Sequence, residues 1–204
     1  MPSSTKRVYF GDYSFSVWEN VYEPAEDSFL FAENLEVEAG ERVLDMGTGC
    51  GILGIIAAKK ASEVVSVDVN PYAVRCAREN ATFSDVRDKM AFIQGDLFTP
   101  FREAEKFDVI LFNAPYLPTD EREADSWIDR AWTGGATGRQ IIGRFISEAP
   151  RNLKRSGRVL LMQSTLADVD ETLRRLAQGH LNAKVVAEFS LPFFETVVLI
   201  EAKI

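Results

Sequence analysis

Four short stretches carry the residue types that could do chemistry. The first is Asp45-Met-Gly-Thr-Gly-Cys-Gly51. Glycines at alternate positions let a backbone pass close to a ligand and then turn into a helix. Asp45 beside them suits a cationic group, an amine or a sulfonium, better than a phosphate. The second is Asp68-Val-Asn-Pro71, whose carboxylate can accept both hydroxyls of a ribose. In the third, Gly95-Asp96-Leu97, Asp96 could accept the amino group of adenine, although a turn aspartate explains the stretch equally well. The fourth is Asn113-Ala-Pro-Tyr-Leu-Pro118, where two prolines and a tyrosine are costly unless geometry matters. A rival reading is an NAD-dependent oxidoreductase. Gly49-Cys-Gly-Ile-Leu-Gly54 fits the dinucleotide fingerprint, and Asp68 follows at the expected separation. The register speaks against it, because Gly47 and Thr48 come first and Asp45 would repel a pyrophosphate.

These stretches sit after short apolar runs that alternate with helical patterns. Strands are expected at Arg42–Met46, Val64–Val67, Met90–Gln94, Phe107–Phe112, Arg158–Met162, Ala183–Phe189 and Thr196–Lys203. Helices are expected at Ile52–Lys59, from Asn70-Pro71 onward, at Gly138–Ala149 and at Leu166–Gln178. Asn70 caps its helix and Pro71 opens it. Pro150 is expected to stop the third helix, Thr165 with Asp168 to cap the fourth, and Gly179 to end it. Upstream, Arg7–Val17 reads as a hairpin turning at Gly11-Asp12, and Glu26–Leu35 as a helix with an apolar stripe. Residues 114–137 read as a long loop.

Strand–helix alternation predicts an α/β fold: a Rossmann-like, doubly wound, mostly parallel sheet of seven strands. The last two strands are joined by a short connection, so the final strand should be antiparallel. One domain over 1–204 is expected, with residues 1–40 as a hairpin and helix packed on it. Ligands of such sheets lie at the carboxyl ends of the strands, where all four stretches fall.

Composition excludes several classes. Of 204 residues, 46% are hydrophobic and 26% charged, the balance of a folded globular chain. No apolar run approaches the ~20 residues of a membrane helix, and no apolar stretch follows the N-terminal residues as in a secretory signal. A cytoplasmic chain is therefore expected. Lys and Arg number 23 against 31 Asp and Glu, a net charge of −8, so direct DNA binding is not expected. Two cysteines, Cys50 and Cys76, and one histidine, His180, argue against a disulfide scaffold and against a metal site. His180 reads as a helix cap or surface residue, Phe193 and Phe194 as core ahead of lid, and Glu121, Glu123, Asp125 and Asp129 as a solvated face that could also meet a basic partner.

Together these motifs resemble the class I S-adenosylmethionine-dependent methyltransferases. Asn113–Tyr116 resembles the Asn-Pro-Pro-Tyr signature of enzymes that methylate planar amino groups. More narrowly, the chain is similar to the HemK-like release-factor glutamine methyltransferases of archaea and eukaryotes. Tyr22-Glu-Pro-Ala-Glu-Asp-Ser-Phe29, Ala131-Trp-Thr-Gly-Gly-Ala-Thr-Gly-Arg139 and the Asn113 loop carry that likeness. The helical N-terminal domain of the bacterial members is not expected. The resemblance implies S-adenosylmethionine as cofactor. Ser28, Asp45, Gly47, Gly49 and Gly51 would surround it, with Asp68, Asp96, Leu97 and Asn113.

The resemblance also implies a catalytic loop of Asn113, Ala114, Pro115 and Tyr116. The Asn113 oxygen and the Ala114 carbonyl would accept the two N–H bonds of a glutamine amide, Tyr116 would pack on its flat face, and Pro115 would hold the turn. No general base is required, since the methylated amide becomes acidic before it releases its proton. Ala114 stands where the family has its first proline; it keeps the carbonyl and loses rigidity. The implied substrate is a translation release factor, and the implied partner a small zinc-binding activator that adds to a sheet edge. The 114–137 loop, with Trp127, Trp132 and Gly134, Gly135 and Gly138 as hinges, would be a lid over a peptide. Adenine-N6 methylation of RNA or DNA would suit the same loop, and a non-catalytic cofactor-binding subunit would suit the lost proline.

Overall fold

The computed structural model describes residues 5–102, 105–119 and 126–204. Strands β1 (Thr5–Phe10) and β2 (Tyr13–Trp18) form an antiparallel hairpin around Gly11-Asp12, with Gly11 at φ +53°. Helix α1 (Glu26–Glu33) follows. The alternating part runs β3 (Arg42–Met46), α2 (Ile52–Ala58), β4 (Glu63–Asp68), α3 (Pro71–Phe83) and β5 (Met90–Gln94). It continues with β6 (Phe107–Asn113), α4 (Trp127–Trp132), α5 (Gln140–Asn152), β7 (Leu153–Ser164), α6 (Val169–Gln178), β8 (Asn182–Ser190) and β9 (Thr196–Lys203).

The main sheet has seven strands in the order β5-β4-β3-β6-β7-β9-β8. The first five pair in parallel, and β9 lies antiparallel between β7 and β8. The expected doubly wound sheet is thus the observed one, with its antiparallel strand inside the sheet. Successive strand residues point to opposite faces. Val43, Val64, Val109 and Leu111 pack with residues of α1, α2 and α3. Leu44, Val65, Ile110 and Phe112 pack with Ile142, Phe145 and Ala149 of α5 and Leu176 of α6. Both faces are covered, which is why the parallel strands read as unbroken apolar runs.

Buried carboxamides stitch the N-terminal hairpin to α3. Asn80 accepts from the Ser16 backbone N–H at 2.9 Å and donates to the Ser16 carbonyl at 2.8 Å. The Asn70 side chain accepts from Tyr72 N–H as the cap of α3 and donates to the Asn20 carbonyl at 2.7 Å. Asn70 lies two residues past the end of β4, so this bond brings the segment before α1 to the carboxyl edge of the sheet.

The structure corrects several expectations. Helix α5 runs through Pro150 to Asn152; a proline in the last turn forfeits one backbone bond, while Ala149 and Leu153 beside it are buried. Asp168, not Thr165, caps α6: at φ +53° its carboxylate accepts from Glu171 N–H at 3.0 Å, and Thr165–Ala167 form a 3₁₀ turn. Gly179 does end α6 as expected, as its C-cap, and the left-handed position falls on the next residue, His180, at φ +62°. Phe193 and Phe194 are not core. They are 96% and 104% exposed, at φ +63° and +65°, in the turn between β8 and β9. Residues 127–132 of the expected loop are helical. Ser126 Oγ accepts from Asp129 N–H at 3.1 Å while Asp129 accepts from Ser126 N–H at 2.9 Å, so Asp129 is a cap. Glu121, Glu123 and Asp125 lie outside the described residues. Among the described residues no helix is long and apolar enough to cross a membrane.

Candidate active site

A cavity of about 510 Å³ opens where β3, β4, β5 and β6 end. Gly47, Gly49, Asp68, Asp96, Leu97 and Ser28 line it, and so does the whole Asn113–Tyr116 loop. Gly49 stands at φ +55° with nothing within 4 Å of where a Cβ would be, so bare backbone faces the cavity. Asp68 accepts from Gly49 N–H and Asn70 N–H, both at 2.9 Å, and its two oxygens keep lone pairs for further donors. Burial pushes its carboxyl up to about 6. Asp96 is held at 2.7 Å by Arg144, and Leu97 turns the chain at φ +46°. A glycine floor, a carboxylate with acceptor capacity and apolar walls from Ile52, Leu53 and Leu97 fit a nucleoside carrying a charged side arm.

Two predicted site residues are elsewhere. Asp45 lies between Leu44 and Met46, so strand alternation turns it to the other face of the sheet. Its Oδ2 accepts from the Thr48 hydroxyl at 2.5 Å and from Gly54 N–H at 3.2 Å. It thereby caps α2 from a distance, since the N-cap residue Gly51 has no side chain to do so. Gly51, at φ +91°, would place a Cβ 3.0 Å from the Ala77 Cβ; it allows α2 and α3 to meet. Asp45 and Gly51 therefore shape the glycine turn and do not line the cavity.

Burial, with a smaller contribution from the charge of Asp68, raises the Asp45 carboxyl from 3.8 to about 6. A carboxyl raised in the fold favours the folded state below its unfolded value, and that contribution is lost as pH rises through the folded value. Asp45→Asn should remove this slope. The difference in Tm between variant and parent should grow from about pH 4 to about pH 6 and then level off; a constant offset would contradict the assignment.

Asn113 ends β6 with its side chain fixed. Its Nδ2 donates to Asp27 Oδ2 at 3.0 Å and to Ser28 Oγ at 3.2 Å. Its Oδ1 is buried and has no partner among the described residues. Asp27 also accepts from the Tyr22 hydroxyl at 2.9 Å, from Ser28 N–H at 2.6 Å and, more loosely, from the Tyr116 hydroxyl at 3.5 Å. Burial first, then the Asp27 charge, holds both phenols above their ordinary range, so they stay donors. Ala114 is buried, and its N–H donates to the Met162 carbonyl at 3.4 Å, a bond proline could not make.

The glycines expected as hinges are a brace. Gly138, at φ +70°, lies so close to the loop that a Cβ would stand 2.3 Å from the Tyr116 carbonyl oxygen. Leu117 N–H donates to the Trp132 carbonyl and Gly134 N–H to the Leu117 carbonyl, both at 2.9 Å, and Thr119 N–H reaches the Gly135 carbonyl at 3.1 Å. Arg139 ties this stretch to the carbonyls of Ala167 and Asp168 and to the Thr172 hydroxyl. Trp127 and Trp132 line the cavity, and Trp132 meets Tyr22 edge-on with ring centroids 5.8 Å apart. Sequence reasoning gave Tyr22 and Asp27 no role; the available signal was an acid at helical spacing from Phe31 on the apolar stripe of α1.

Comparison with known proteins names the class. Residues 23–130 match the family described as methyltransferase small domain, so the chain is an S-adenosylmethionine-dependent methyltransferase. A Methanocaldococcus jannaschii chain that carries the name of a protein N5-glutamine methyltransferase is 45% identical over 181 residues, covering 88% of this chain and 90% of that one. Human methyltransferase HEMK2 is 31% identical, with coverage of 81% and 82%. This chain belongs to the HemK-like members of the methyltransferase small domain family. Among solved structures, it is similar to that of the E. cuniculi Mtq2–Trm112 complex, described as responsible for methylation of the termination factor eRF1. The TM-score is 0.70 at 26% identity, covering 90% of this chain and 98% of that one. Methanocaldococcus jannaschii Trm5 bound to adenosine superposes with a TM-score of 0.73 at 17% identity, over 98% of this chain and 56% of that one, a likeness of fold.

Proposed function

We propose that this protein methylates the side-chain amide nitrogen of a glutamine in a translation release factor. The observation that carries the reading is the buried, unpartnered Asn113 Oδ1 at the rim of the nucleoside cavity. A buried acceptor without a donor is costly, and a substrate N–H is the donor that would satisfy it. The Ala114 carbonyl takes the second N–H, Pro115 holds the turn, and Tyr116 covers the flat face of the amide. Fixing both N–H bonds leaves the nitrogen lone pair one direction to point. S-adenosylmethionine, when bound, supplies an electrophilic methyl group on a sulfonium. Gly47 and Gly49 would hold its amino-acid arm, Asp68 its ribose hydroxyls, Asp96 and Leu97 its adenine, and Ser28 the side toward Asn113.

The names of the relatives support the substrate, and so does the Mtq2–Trm112 complex. The same complex supports a small activator subunit, zinc-binding by the family resemblance, that adds to one of the open sheet edges, β5 or β8. We read residues 1–204 as one domain, with residues 1–40 an extension that contributes Tyr22, Asp27 and Ser28 to the site. The test is transfer of a labelled methyl group from S-adenosylmethionine to purified release factor, with and without an activator, beside adenine-containing RNA and DNA. Label on one glutamine of the release factor is expected. Label on nucleic acid alone would overturn the proposal.

A further inference from the structure

We propose that Asp27 is a positioning residue that selects which end of the Asn113 carboxamide faces the substrate; this rests on the function proposed above. The oxygen and the NH₂ of a carboxamide are nearly the same size, and a half-turn exchanges them. Only one orientation accepts a substrate N–H. Asp27 is surrounded by donors and accepts from Tyr22, from both Ser28 groups and from Asn113, so it pairs with the NH₂ end.

Ser28 alone could not make this choice, because a hydroxyl both donates and accepts. Its proton is already committed: Ser28 Oγ donates to Asp27 Oδ1 at 3.1 Å, so it meets Asn113 as an acceptor at 3.2 Å. Tyr22 donates to the same Asp27 Oδ1 at 2.9 Å, leaving Oδ2 for Asn113 at 3.0 Å. All these protons run toward one carboxylate, and they leave the Asn113 oxygen empty. Asp27 is 5% exposed, so water does not compete for the pairing.

The experiment compares Asp27→Ala and Asp27→Asn with the parent. Three readings are made: kcat and KM for methyl transfer to release factor, donor affinity by calorimetry, and the side-chain NH₂ signals of Asn113 in nitrogen-15 spectra. Asp27→Ala should lower kcat about 10²-fold, the cost of a misplaced reacting group. Donor affinity should stay within about threefold, well inside one factor of ten in equilibrium constant. The Asn113 NH₂ protons should lose their protection from exchange. Asp27→Asn keeps the size and one acceptor, so it should fold and recover part of kcat. A loss confined to KM or donor affinity would overturn the proposal, as would Asn113 signals unchanged in both variants. Loss of those signals with parental kcat would overturn it too. A parent that methylates no glutamine would overturn the proposed function instead, and the spectra would still report the anchoring.

Discussion

Asn113→Ala abolishes methyl transfer and leaves binding of S-adenosylmethionine largely intact: that is the outcome the geometry requires. The lost atom is the buried Oδ1, which has no partner among the described residues. Truncation also leaves Asp27 Oδ2 without its 3.0 Å donor, a structural cost at the same place. Removing one preorganised hydrogen-bonding group from a reacting centre typically lowers kcat about 10²–10³-fold. In the proposed function the group would also orient the nucleophile, so the upper end is expected. In the proposed function the donor would be held from other elements that line the cavity, by the turn after β3, by Asp68 and by the turn after β5. Its dissociation constant, measured by calorimetry, should therefore change little. Retention of more than about a tenth of the parental kcat would refute the role of Asn113, since that loss is below the effect of a single such group.

Gly138→Ala has the second largest expected effect, and it acts without touching substrate or cofactor. Its Cβ would stand 2.3 Å from the Tyr116 carbonyl oxygen, and the residue sits at φ +70°. A left-handed alanine costs roughly 1–2 kcal/mol by itself. The overlap cannot be relieved by a flexible side chain, because the atom in the way is backbone. Either the Tyr116 peptide or the glycine stretch must move, and the hydrogen bonds from Leu117 and Gly134 move with it. We expect kcat to fall about 10²-fold. Stability should fall by roughly 2–4 kcal/mol, the range of strain at a special backbone position plus disrupted bonds. Gly49→Ala is the control, since its Cβ meets nothing within 4 Å. It should weaken donor binding with a smaller change in Tm. Parental kcat in Gly138→Ala would show that the brace does not hold the catalytic loop.

The alternation of strands and helices was legible because capping residues and apolar runs agree. Asn70-Pro71 opens α3 where expected, and both sheet faces are covered, as the unbroken apolar strands imply. Spacing alone misled at Asp45 and Gly51. A motif counts residues along the chain and does not record the face to which a strand turns each one. At Asp45 the alternation with Leu44 and Met46 held the missing information. The glycines of 134–138 were misread for a related reason: a glycine that permits motion and one that permits close contact look alike in sequence. The partner of Asp27 was out of reach for a third reason. The pairing with Asn113 spans 86 positions, and no local pattern encodes a contact of that range. Phe193 and Phe194 defeat the rule that paired aromatics are buried, because a left-handed turn holds them out.

The slot occupied by β9 has a consequence for biosynthesis. In the finished sheet β8 pairs with β9 alone and is not adjacent to β7. While the nascent chain emerges, β8 packs against α1 and α6 but has no strand to pair with until residues 196–203 have cleared the ribosome. During that interval β7 and β8 each expose an open flank to neighbouring polysomes. Fast translation at high copy number would lengthen the queue of such half-built sheets, and slower synthesis or a holding chaperone would shorten it.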